Sequence, residues 1–322
     1  MTQRSNQKLN KKFDQVFAIL GPTATGKTDL AMELIKRYPF EIISVDSAMV
    51  YQDMNIGTAK PTSEELLKAP HHLINLRRPD QIYSVADFCQ DVNKLIPEIL
   101  ARNKFPLLVG GTMMYFNALK NGLNNLPGRD EIIRTELSEI LKQEGTLGLH
   151  ERLKNSDPEA ALRIKPQDTQ RLMRALEIFK LNQKKANPNN LNNQPMNAPL
   201  AYPILSFGLV SPDIPWQRER MTQRFNQMLK MGLVQELEFL KLKYVLNPDL
   251  PSMRCVGYRQ AWDYLEGNLS YEDLQERGVI STAQLAKRQR TWLRSFDWAM
   301  SVNPQQRPLD TICLHLDSRL PS

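Results

Sequence analysis

Short apolar runs alternate with longer amphipathic stretches through the first third of the chain. Runs of strand length occupy residues 16–20, 41–45 and 105–109. Apolar positions recur with helical spacing in residues 29–37, 83–102 and 112–120. Strands that are separated by helices indicate parallel pairing, because each helix then crosses over one face of the sheet. The pattern therefore predicts an α/β fold, a parallel sheet flanked by helices.

A second pattern follows, in which the strand signal is lost. Residues 131–144 and 168–181 are rich in charges and have helical spacing. Residues 182–199 are rich in Asn, Pro and Gln, which is typical of a low-complexity surface loop. The predicted domains are therefore a core at residues 1–127 and 201–322 and an all-α insertion domain at residues 128–200.

The α/β pattern returns in the C-terminal part of the chain. Residues 204–209 have the composition of a strand and are followed by Ser-Pro. Helical spacing then predicts a long helix over residues 215–243 and a further helical region over residues 271–298. We expect the tail after residue 304 to form a short strand and a frayed end.

Composition is typical of a soluble globular protein. Of the 322 residues, 41% are hydrophobic and 24% are charged. No apolar run approaches the roughly 18 residues that a membrane span needs, and residues 1–12 are not followed by the apolar core of a secretion signal. We therefore expect a cytoplasmic protein without a membrane partner. The net charge of +7 suits a polyanionic partner, although solubility alone would also explain it.

Cysteine and histidine spacing does not predict a disulfide or a zinc site. The three cysteines, Cys89, Cys255 and Cys313, are far apart and form no Cys-x-x-Cys pair. The four histidines also lack the spacing of metal ligands. We expect metal chemistry only from Mg²⁺ at a phosphate site.

The most specific local motif directly follows the first strand. Its residues are Gly21, Pro22, Thr23, Ala24, Thr25, Gly26, Lys27 and Thr28, which match the Gly-x-x-x-x-Gly-Lys-Ser/Thr phosphate loop, or P-loop. The glycines let backbone N–H groups turn inward, and the following helix adds partial positive charge at its N-terminus. Lys27 would neutralise phosphate charge and Thr28 would ligate Mg²⁺. The loop does not specify which phosphate compound binds.

Two further groups of residues are predicted to meet the P-loop. Asp46 directly follows the second strand, and the sequence Gly110-Gly111-Thr112 follows the third. Ligands of parallel sheets bind at the carboxyl ends of the strands, so these groups should converge in one crevice. Asp46 could hold Mg²⁺ or act as a general base, and its spacing from Lys27 favours the metal. We interpret residues 46–61, which contain Met49 and Tyr51, as a substrate-contacting loop.

Arginines on the first predicted C-terminal helix suggest an anion site. Arg220 and Arg224 lie one helical turn apart and therefore share a face. Two guanidinium groups in this arrangement could clamp a diphosphate, although a solvated basic face would have the same pattern.

Two basic and aromatic clusters lie towards the end of the chain. In the last predicted helix, a stripe of Lys287, Arg290 and Arg294 is opposite Leu285, Trp292, Leu293 and Phe296. In the second cluster, Arg254 and Arg259 flank Cys255, Val256, Gly257 and Tyr258. Arginine interleaved with aromatic residues suits stacking on unpaired bases, whereas an ordinary amphipathic surface helix is the alternative for the first cluster.

These segments together resemble one known family, the bacterial tRNA dimethylallyltransferases. The matching stretches are GPTATGKT, ISVDSAMVYQDMNIGTAKP, APHHLIN, PLLVGGTMMYFNAL, QRLMRALEIF, QRFNQML, LPSMRCVGYRQ and AKRQRTWLR, spread over residues 16–298. The chain lacks the C-terminal zinc finger of eukaryotic relatives, which favours the bacterial branch.

The resemblance implies a reaction that the P-loop alone does not. A dimethylallyl group passes from dimethylallyl diphosphate to the exocyclic amine of the adenosine 3′-adjacent to the anticodon of tRNA, and diphosphate leaves. The P-loop would thus hold a prenyl diphosphate together with Mg²⁺. The family also implies a monomer that binds the anticodon stem-loop.

The resemblance also assigns roles to particular residues. Asp46 is similar to the general base of the family, which replaces the metal role that spacing favoured. Thr112 would steady the reacting centre by hydrogen bonding, and Arg224 would stabilise the departing diphosphate. Residues 21–28 would bind the diphosphate, with Thr28 as the metal ligand.

A larger set would bind tRNA on this resemblance. It comprises Asp46, Ser47, Ala48, Met49, Gln170, Arg171, Leu172, Met173, Arg174, Arg254, Cys255, Val256, Gly257, Tyr258, Arg259, Lys287, Arg288, Gln289, Arg290, Thr291, Trp292, Leu293 and Arg294. The target base must leave its stack to reach a buried allylic carbon, so we expect base flipping.

Three other functions fit parts of the sequence. A small-molecule kinase would use the P-loop on ATP, and a related enzyme would prenylate free adenine nucleotides. Neither needs the two basic and aromatic clusters. A non-enzymatic RNA-binding module would use those clusters but would not need Asp46 in the crevice.

Overall fold

The computed structural model describes residues 15–123, 126–185 and 198–320. Residues 1–12 and most of the predicted loop at 182–199 lie outside these ranges. The strands are β1 (Val16–Leu20), β2 (Phe40–Val45), β3 (His71–His72), β4 (Phe105–Gly110), β5 (Ile204–Leu209) and β6 (Ala299–Val302). They form one parallel sheet in the order β3-β2-β4-β1-β5-β6, which confirms the predicted fold class.

Helices separate the strands and continue after them. In chain order they are α1 (Lys27–Ile35), α2 (Ser63–Lys68), α3 (Val85–Ala101), α4 (Met113–Asn121), α5 (Glu131–Ser156), α6 (Pro158–Arg163), α7 (Thr169–Lys185), α8 (Ile214–Lys230), α9 (Leu233–Lys243), α10 (Tyr258–Leu265), α11 (Tyr271–Leu293) and α12 (Pro308–Asp317). The chain divides into two compact units, one of residues 1–122 and 198–322 and the other of residues 123–197.

Strand register brings three chain segments level at the carboxyl edge of the sheet. Gly110 at the end of β4 is the partner of Leu20 on one side and of Val45 on the other. The P-loop, Asp46 and Gly111 each follow one of these paired residues. Their meeting at one edge is therefore a direct consequence of the register.

The core of the larger unit lies between β1, β2, β4 and β5 on one side and α1 and α12 on the other. All five residues of β1 are buried, as expected for a strand in the middle of a parallel sheet. Phe17 makes edge-to-face contacts with Phe40 and Phe105, with ring centroids 5.1 and 5.7 Å apart. These buried strands provide the rigid base on which the loops of the site stand.

The smaller unit is built from α5, α6 and α7. Its buried core contains Ile133, Leu137, Leu149, Leu153, Leu172 and Leu176. Glu177 is also fully buried there, and it accepts hydrogen bonds from Arg134, Arg174 and the backbone N–H of Asp130. Burial alone would raise the pKa of Glu177, but these donors outweigh it and hold the pKa below its usual value.

Several predicted helices have different bounds in the structure. The long helix over 215–243 is interrupted after Lys230, because Gly232 takes a left-handed conformation with φ of 98° and begins α9. The helix over 131–144 continues to Ser156 after a non-helical residue, Gly145. Helix α11 ends at Leu293, before the predicted residue 298.

The C-terminal tail was assigned the wrong element. Strand β6 lies before residue 304, and the tail itself forms the helix α12. Ile312 and Leu316 of α12 are buried against the sheet, and this packing decides between a helix and a strand for an apolar stretch this short. The short elements β3, α2, α6 and α10 were not predicted. Over the ranges described above, no helix is both long and apolar enough to cross a membrane.

Candidate functional site

A cavity of about 520 Å³ opens at the carboxyl edge of the sheet, within the larger unit. Its walls bring together the P-loop, Asp46, residues 110–112, α8, α11 and residues 254–256. The predicted convergence of the three strand-end segments is therefore confirmed. The cavity also has apolar walls that include Met49, Met113, Met221, Phe225 and Trp292.

Two side chains of the P-loop donate hydrogen bonds to one carbonyl group of the same loop. Thr25 Oγ1 and Lys27 Nζ both donate to the carbonyl of Pro22, at 2.9 and 2.5 Å. Gly26 has a φ of 83°, which glycine adopts without strain, and α1 begins directly after it without a side-chain cap. The first N–H groups of α1 have no partner within the helix, so they remain available to an anion.

Lys27, Arg224 and Asp46 influence one another electrostatically. Burial and, to a smaller extent, the positive charge of Arg224 together lower the pKa of Lys27 to about 7, against the raising effect of Asp46. Arg224 lines the cavity and its side chain is exposed to solvent, but desolvation by the surrounding protein lowers its pKa, against the effect of Asp46 and Asp29. A bound diphosphate would place negative charge beside Lys27 and Arg224 and so stabilise their protonated forms.

Asp46 has one fixed oxygen and one open oxygen. Its Oδ1 accepts hydrogen bonds from the backbone N–H groups of Ala48, at 2.8 Å, and Met49, at 3.3 Å. Its Oδ2 has no hydrogen-bond partner in the part of the chain that the structure describes. Thr112 lies beside it, and Thr112 Oγ1 accepts from the N–H of Ser47 at 3.1 Å. The turn therefore holds the carboxylate in place while one oxygen remains free to take a proton.

The loop after Asp46 is held by a cation from within. Lys60 Nζ donates to the carbonyl of Tyr51 at 2.7 Å, and to the side-chain oxygens of Asn55 and Asn75 at 3.1 and 2.7 Å. Burial lowers the pKa of Lys60 to about 8, against the raising effect of Glu236 and Asp53. The sequence pattern predicted the loop but not this internal contact, which joins residues up to 15 positions apart.

An anion from α9 holds the same loop from outside. The carboxylate of Glu236 accepts from the backbone N–H groups of Asn55, Ile56 and Gly57 at 2.8 to 3.2 Å. The hydroxyl of Tyr258 donates to the same carboxylate. Three backbone donors and one hydroxyl satisfy Glu236 fully, so the loop has a fixed position relative to α9 and α10.

Comparison with known proteins identifies the family. Residues 49–296 match the family model described as IPP transferase. The chain belongs to the IPP transferase family. A tRNA dimethylallyltransferase from Legionella pneumophila (strain Corby) is 47% identical over 296 residues, covering 92% of this chain and 94% of that protein.

Solved structures of similar proteins agree. A full-length tRNA isopentenylpyrophosphate transferase from Bacillus halodurans is 35% identical and has a TM-score of 0.67, over 95% of this chain and 98% of the other. A eukaryotic dimethylallyltransferase acting on tRNA is 25% identical with a TM-score of 0.72, over 95% and 80% of the two chains. The family inferred from the sequence motifs is thus confirmed.

In this IPP transferase, the predicted RNA-binding residues 254–259 divide by exposure. Arg254 and Arg259 are exposed, and Arg254 also pairs with Asp249 at 3.0 Å. Cys255 lines the cavity as a neutral thiol, because burial and then the charge of Asp46 raise its pKa to about 12. Val256 also lines the cavity, whereas Gly257 is buried and begins α10.

Tyr258 needs a correction, because its aromatic ring is fully buried. A Cβ on Gly57 would lie 2.5 Å from this ring, so ring and loop are in close contact. The hydroxyl is the only polar atom of the Tyr258 side chain, and it donates to Glu236. Tyr258 therefore supports the loop and is not available for stacking on a base.

The predicted residues of α11 point in two directions. Lys287, Arg288, Thr291, Trp292 and Arg294 are exposed, whereas Leu293 is buried. Trp292 was predicted to lie on the buried face, but it is 41% exposed and lines the cavity, because the helix passes over the cavity mouth and not over a closed core. Gln289 and Arg290 turn inward, and Arg290 donates to the side-chain oxygen of Gln217 at 2.6 Å.

The remaining predicted residues lie on α7 in the smaller unit. Gln170 and Arg171 are exposed, and Met173 is half-buried. Leu172 is fully buried in the core of that unit, so its side chain cannot contact a ligand. Arg174 pairs with the buried Glu177 and donates to the carbonyl of Pro127, which commits most of its hydrogen-bonding capacity.

Proposed function

We propose that the chain transfers a dimethylallyl group from dimethylallyl diphosphate to the exocyclic amine of the adenosine 3′-adjacent to the tRNA anticodon. The tRNA-prenylating activity itself follows from membership of the family. The observation that carries the residue-level proposal is the open Oδ2 of Asp46 in the same cavity as the P-loop. A base and a diphosphate site in one cavity are what an alkyl transfer from a diphosphate requires.

The donor diphosphate would bind at residues 21–28. The first N–H groups of α1, Lys27 and Arg224 supply positive charge on this side of the cavity. Mg²⁺ fits here, because the Thr28 hydroxyl lines the cavity and Mg²⁺ prefers oxygen ligands from substrate, water and protein. Among the residues described, no group of three His, Cys, Asp or Glu side chains could hold a metal instead. When bound, Mg²⁺ would neutralise diphosphate charge.

The chemical step exchanges one bond for another. The adenine amine forms a bond to the allylic carbon of the donor, and the bond from that carbon to the diphosphate oxygen breaks. The amine proton passes to the open oxygen of Asp46, which the N–H groups of Ala48 and Met49 hold in place. Lys27 and Arg224 would balance the charge that develops on the leaving diphosphate.

Apolar walls would protect the reacting centre from water. Met49, Met113, Met221, Phe225 and Trp292 line the cavity between the two polar sides. A developing allylic cation reacts with water wherever water reaches it. The adenine of the tRNA would fill the opening of the cavity, exclude water and so favour transfer over hydrolysis. Thr112, fixed beside Asp46 through Ser47, would orient the incoming adenine.

The RNA would approach from the open side of the cavity. The exposed cations Arg254, Arg259, Lys287, Arg288 and Arg294 lie on the segments that border this opening. We assign the phosphate contacts of the anticodon stem-loop to them, and further contacts to Arg171 of the predicted insertion domain. The protein would act as a monomer in the cytoplasm, where its tRNA substrate is found.

A labelling experiment tests this function. The purified protein is mixed with Mg²⁺, labelled dimethylallyl diphosphate and an unmodified tRNA with adenosine 3′-adjacent to the anticodon. A matched tRNA with guanosine at that one position is the control. Label in the first RNA and not in the second would support the proposal, and digestion would map it to the nucleotide.

Other outcomes separate the alternatives. Label on free adenine nucleotides in preference to tRNA would favour the nucleotide-prenylating enzyme. Phosphate transfer from labelled ATP in the absence of tRNA would favour a small-molecule kinase. Tight tRNA binding with no covalent change, with either donor, would leave the RNA-binding module.

A further inference from the structure

One side chain of α11 bridges two loops of the site. The Nε2 of Gln289 donates to the carbonyl of Gly111 at 2.8 Å, and its Oε1 accepts from the backbone N–H of Thr23 at 2.9 Å. Gly111 lies between β4 and Thr112, and Thr23 lies in the P-loop. A single amide therefore connects the loop that would bind diphosphate with the loop that bears Thr112.

The carbonyl group of the same P-loop residue, Thr23, is held as well. The Nε2 of Gln217 donates to the carbonyl of Thr23 at 2.8 Å, and Arg290 of α11 donates to the Oε1 of Gln217. Gln217 is fully buried, so its position is fixed by packing as well as by hydrogen bonds. Arg220 adds a third contact, from its Nε to the carbonyl of Ala24 at 3.0 Å. The P-loop thus depends on α8 and α11 for its shape.

We propose that Gln289 is a positioning residue for the donor, which sets the P-loop against Gly111 and Thr112, and that it does not contact tRNA. This inference rests on the proposed function, because the donor is taken to be dimethylallyl diphosphate. It reassigns one member of the RNA-binding set predicted from the sequence.

The physical reason is the use of both ends of the amide. Thr23 N–H cannot turn towards a bound diphosphate while Gln289 accepts from it, so the donor must rely on the later N–H groups of the loop and on Lys27. The bridge also fixes the separation between the diphosphate and Thr112. Small displacements of reacting groups reduce rates strongly, so the bridge controls the alignment of the donor carbon with Asp46.

Gly111 is required for this bridge to fit. A Cβ at Gly111 would lie 2.5 Å from the Nε2 of Gln289, closer than two such atoms can approach. No such clash would arise if Gln289 turned out towards solvent. A glycine at this position is therefore explained by the inward position of the amide.

The test compares Gln289→Met with Gln284→Met in the full-length protein. Methionine keeps the length of the side chain but loses both hydrogen bonds, and Gln284 is an exposed residue of the same helix. Three quantities are measured for each variant: the KM for dimethylallyl diphosphate, the inhibition constant of inorganic pyrophosphate against it, and the Kd for unmodified tRNA.

For Gln289→Met, we expect the donor KM and the pyrophosphate constant to rise by roughly tenfold, as for the loss of two partly buried hydrogen bonds. The Kd for tRNA should stay within about twofold, as should all three values for Gln284→Met. A weaker tRNA complex with unchanged donor constants would overturn the proposal, because that is the result for an RNA contact.

A double-mutant cycle gives a second readout that folding defects alone would not produce. Gly111→Ala should raise the donor KM in the otherwise unchanged protein, because the new methyl group displaces the amide. In a Gln289→Ala background, which leaves only the Gly21 carbonyl oxygen close, at 3.3 Å, the same substitution should have a much smaller effect. Equal effects in both backgrounds would contradict the bridge.

The proposal and the function on which it rests fail in different ways. An unmodified protein that does not prenylate tRNA would refute the proposed function. An active unmodified protein together with a Gln289→Met variant of unchanged donor KM would refute only the role of Gln289.

Discussion

The residue that we propose as the general base is Asp46, and its backbone surroundings support this proposal. Two N–H groups of the following turn hold Oδ1, so the carboxylate keeps one orientation at the cavity wall, and Oδ2 has no hydrogen-bond partner among the described residues. Lys27 and Arg224 are close enough to interact with it electrostatically. In the proposed reaction, these two cations would also bind the leaving diphosphate.

Replacing Asp46 tests the proton-transfer step at this residue. Asp46→Asn keeps an oxygen for the N–H groups of the turn but removes the basic site. We expect kcat to fall by about 10² to 10⁴, the usual contribution of a general base, with the Kd for tRNA changed by less than about twofold. Single-turnover kinetics and a filter-binding assay measure the two quantities. Asp310→Asn, at an exposed position of α12, serves as the control. Full activity of Asp46→Asn would exclude the base assignment.

Between elements, the contact of α9 and α10 with the loop after Asp46 is the main connection. Glu236 of α9 holds three consecutive N–H groups of the loop, and Tyr258 of α10 donates to Glu236. The carboxylate is thus shared by three chain segments. Removing any one of its partners should be measurable as lost stability, since the remaining groups are left unpaired.

Removal of the Tyr258 hydroxyl tests its structural role. Tyr258→Phe keeps the aromatic ring but leaves Glu236 without one donor. We expect the free energy of unfolding in urea to fall by roughly 1 to 3 kcal/mol, the range for a hydrogen bond to a charged group. The Kd for tRNA should not change. If the ring instead stacked on a base, Tyr258→Phe would leave both stability and RNA binding intact, and Tyr258→Ala would weaken RNA binding.

The close contact between α10 and the loop after Asp46 leads to a second prediction. In Gly57→Ala, the new Cβ would lie 2.5 Å from the ring of Tyr258 and 2.7 Å from Leu233 Cδ1. We expect a loss of stability of about 1 to 3 kcal/mol, as for overpacking of a close-packed site. Gly128→Ala is the matched control, because its Cβ would meet no atom within 4 Å. Thermal unfolding of both variants measures the difference, and equal midpoints would contradict the packing described.

Over the molecule as a whole, charge and position act together in RNA binding. The chain has a net charge of +7, and exposed cations border the cavity on α11 and near residue 254. Binding of a polyanion releases counterions, so the affinity for tRNA should fall as salt increases. The slope of this dependence counts the phosphate contacts, whereas net charge alone does not locate them.

Removal of single cations should therefore change the slope. Lys287→Ala and Arg288→Ala should each lower the slope of log Kd against log salt concentration by about one, with little change in the donor KM. Lys36→Ala is the control, because Lys36 pairs with Glu33 on α1, outside the predicted RNA-binding set. Fluorescence titrations of labelled tRNA at several salt concentrations measure the slope. An unchanged slope in both the Lys287→Ala and the Arg288→Ala variant would remove α11 from the RNA interface.

Local patterns in the sequence were sufficient to predict much of the fold and the strand-end segments that meet at the cavity. The P-loop, the strands β1, β2, β4 and β5, and the placement of Asp46 and Thr112 at strand ends are set by neighbouring residues, so their signals are contiguous. Parallel pairing then brings strand ends to one edge, and the cavity follows from this rule. The prediction of the reaction depended on a family resemblance spread over many segments, because a P-loop alone fits many phosphate compounds.

Tertiary structure decided the contacts between distant segments. Gln289 is 266 positions from Thr23, and Glu236 is about 180 positions from the loop that it holds, so neither pair has a local signature. Tyr258 and Trp292 were both assigned by composition and helical spacing, yet one is buried and the other lines the cavity. Periodicity identifies a face of a helix, but only the packing of other elements determines whether that face is covered, open or joined to a loop.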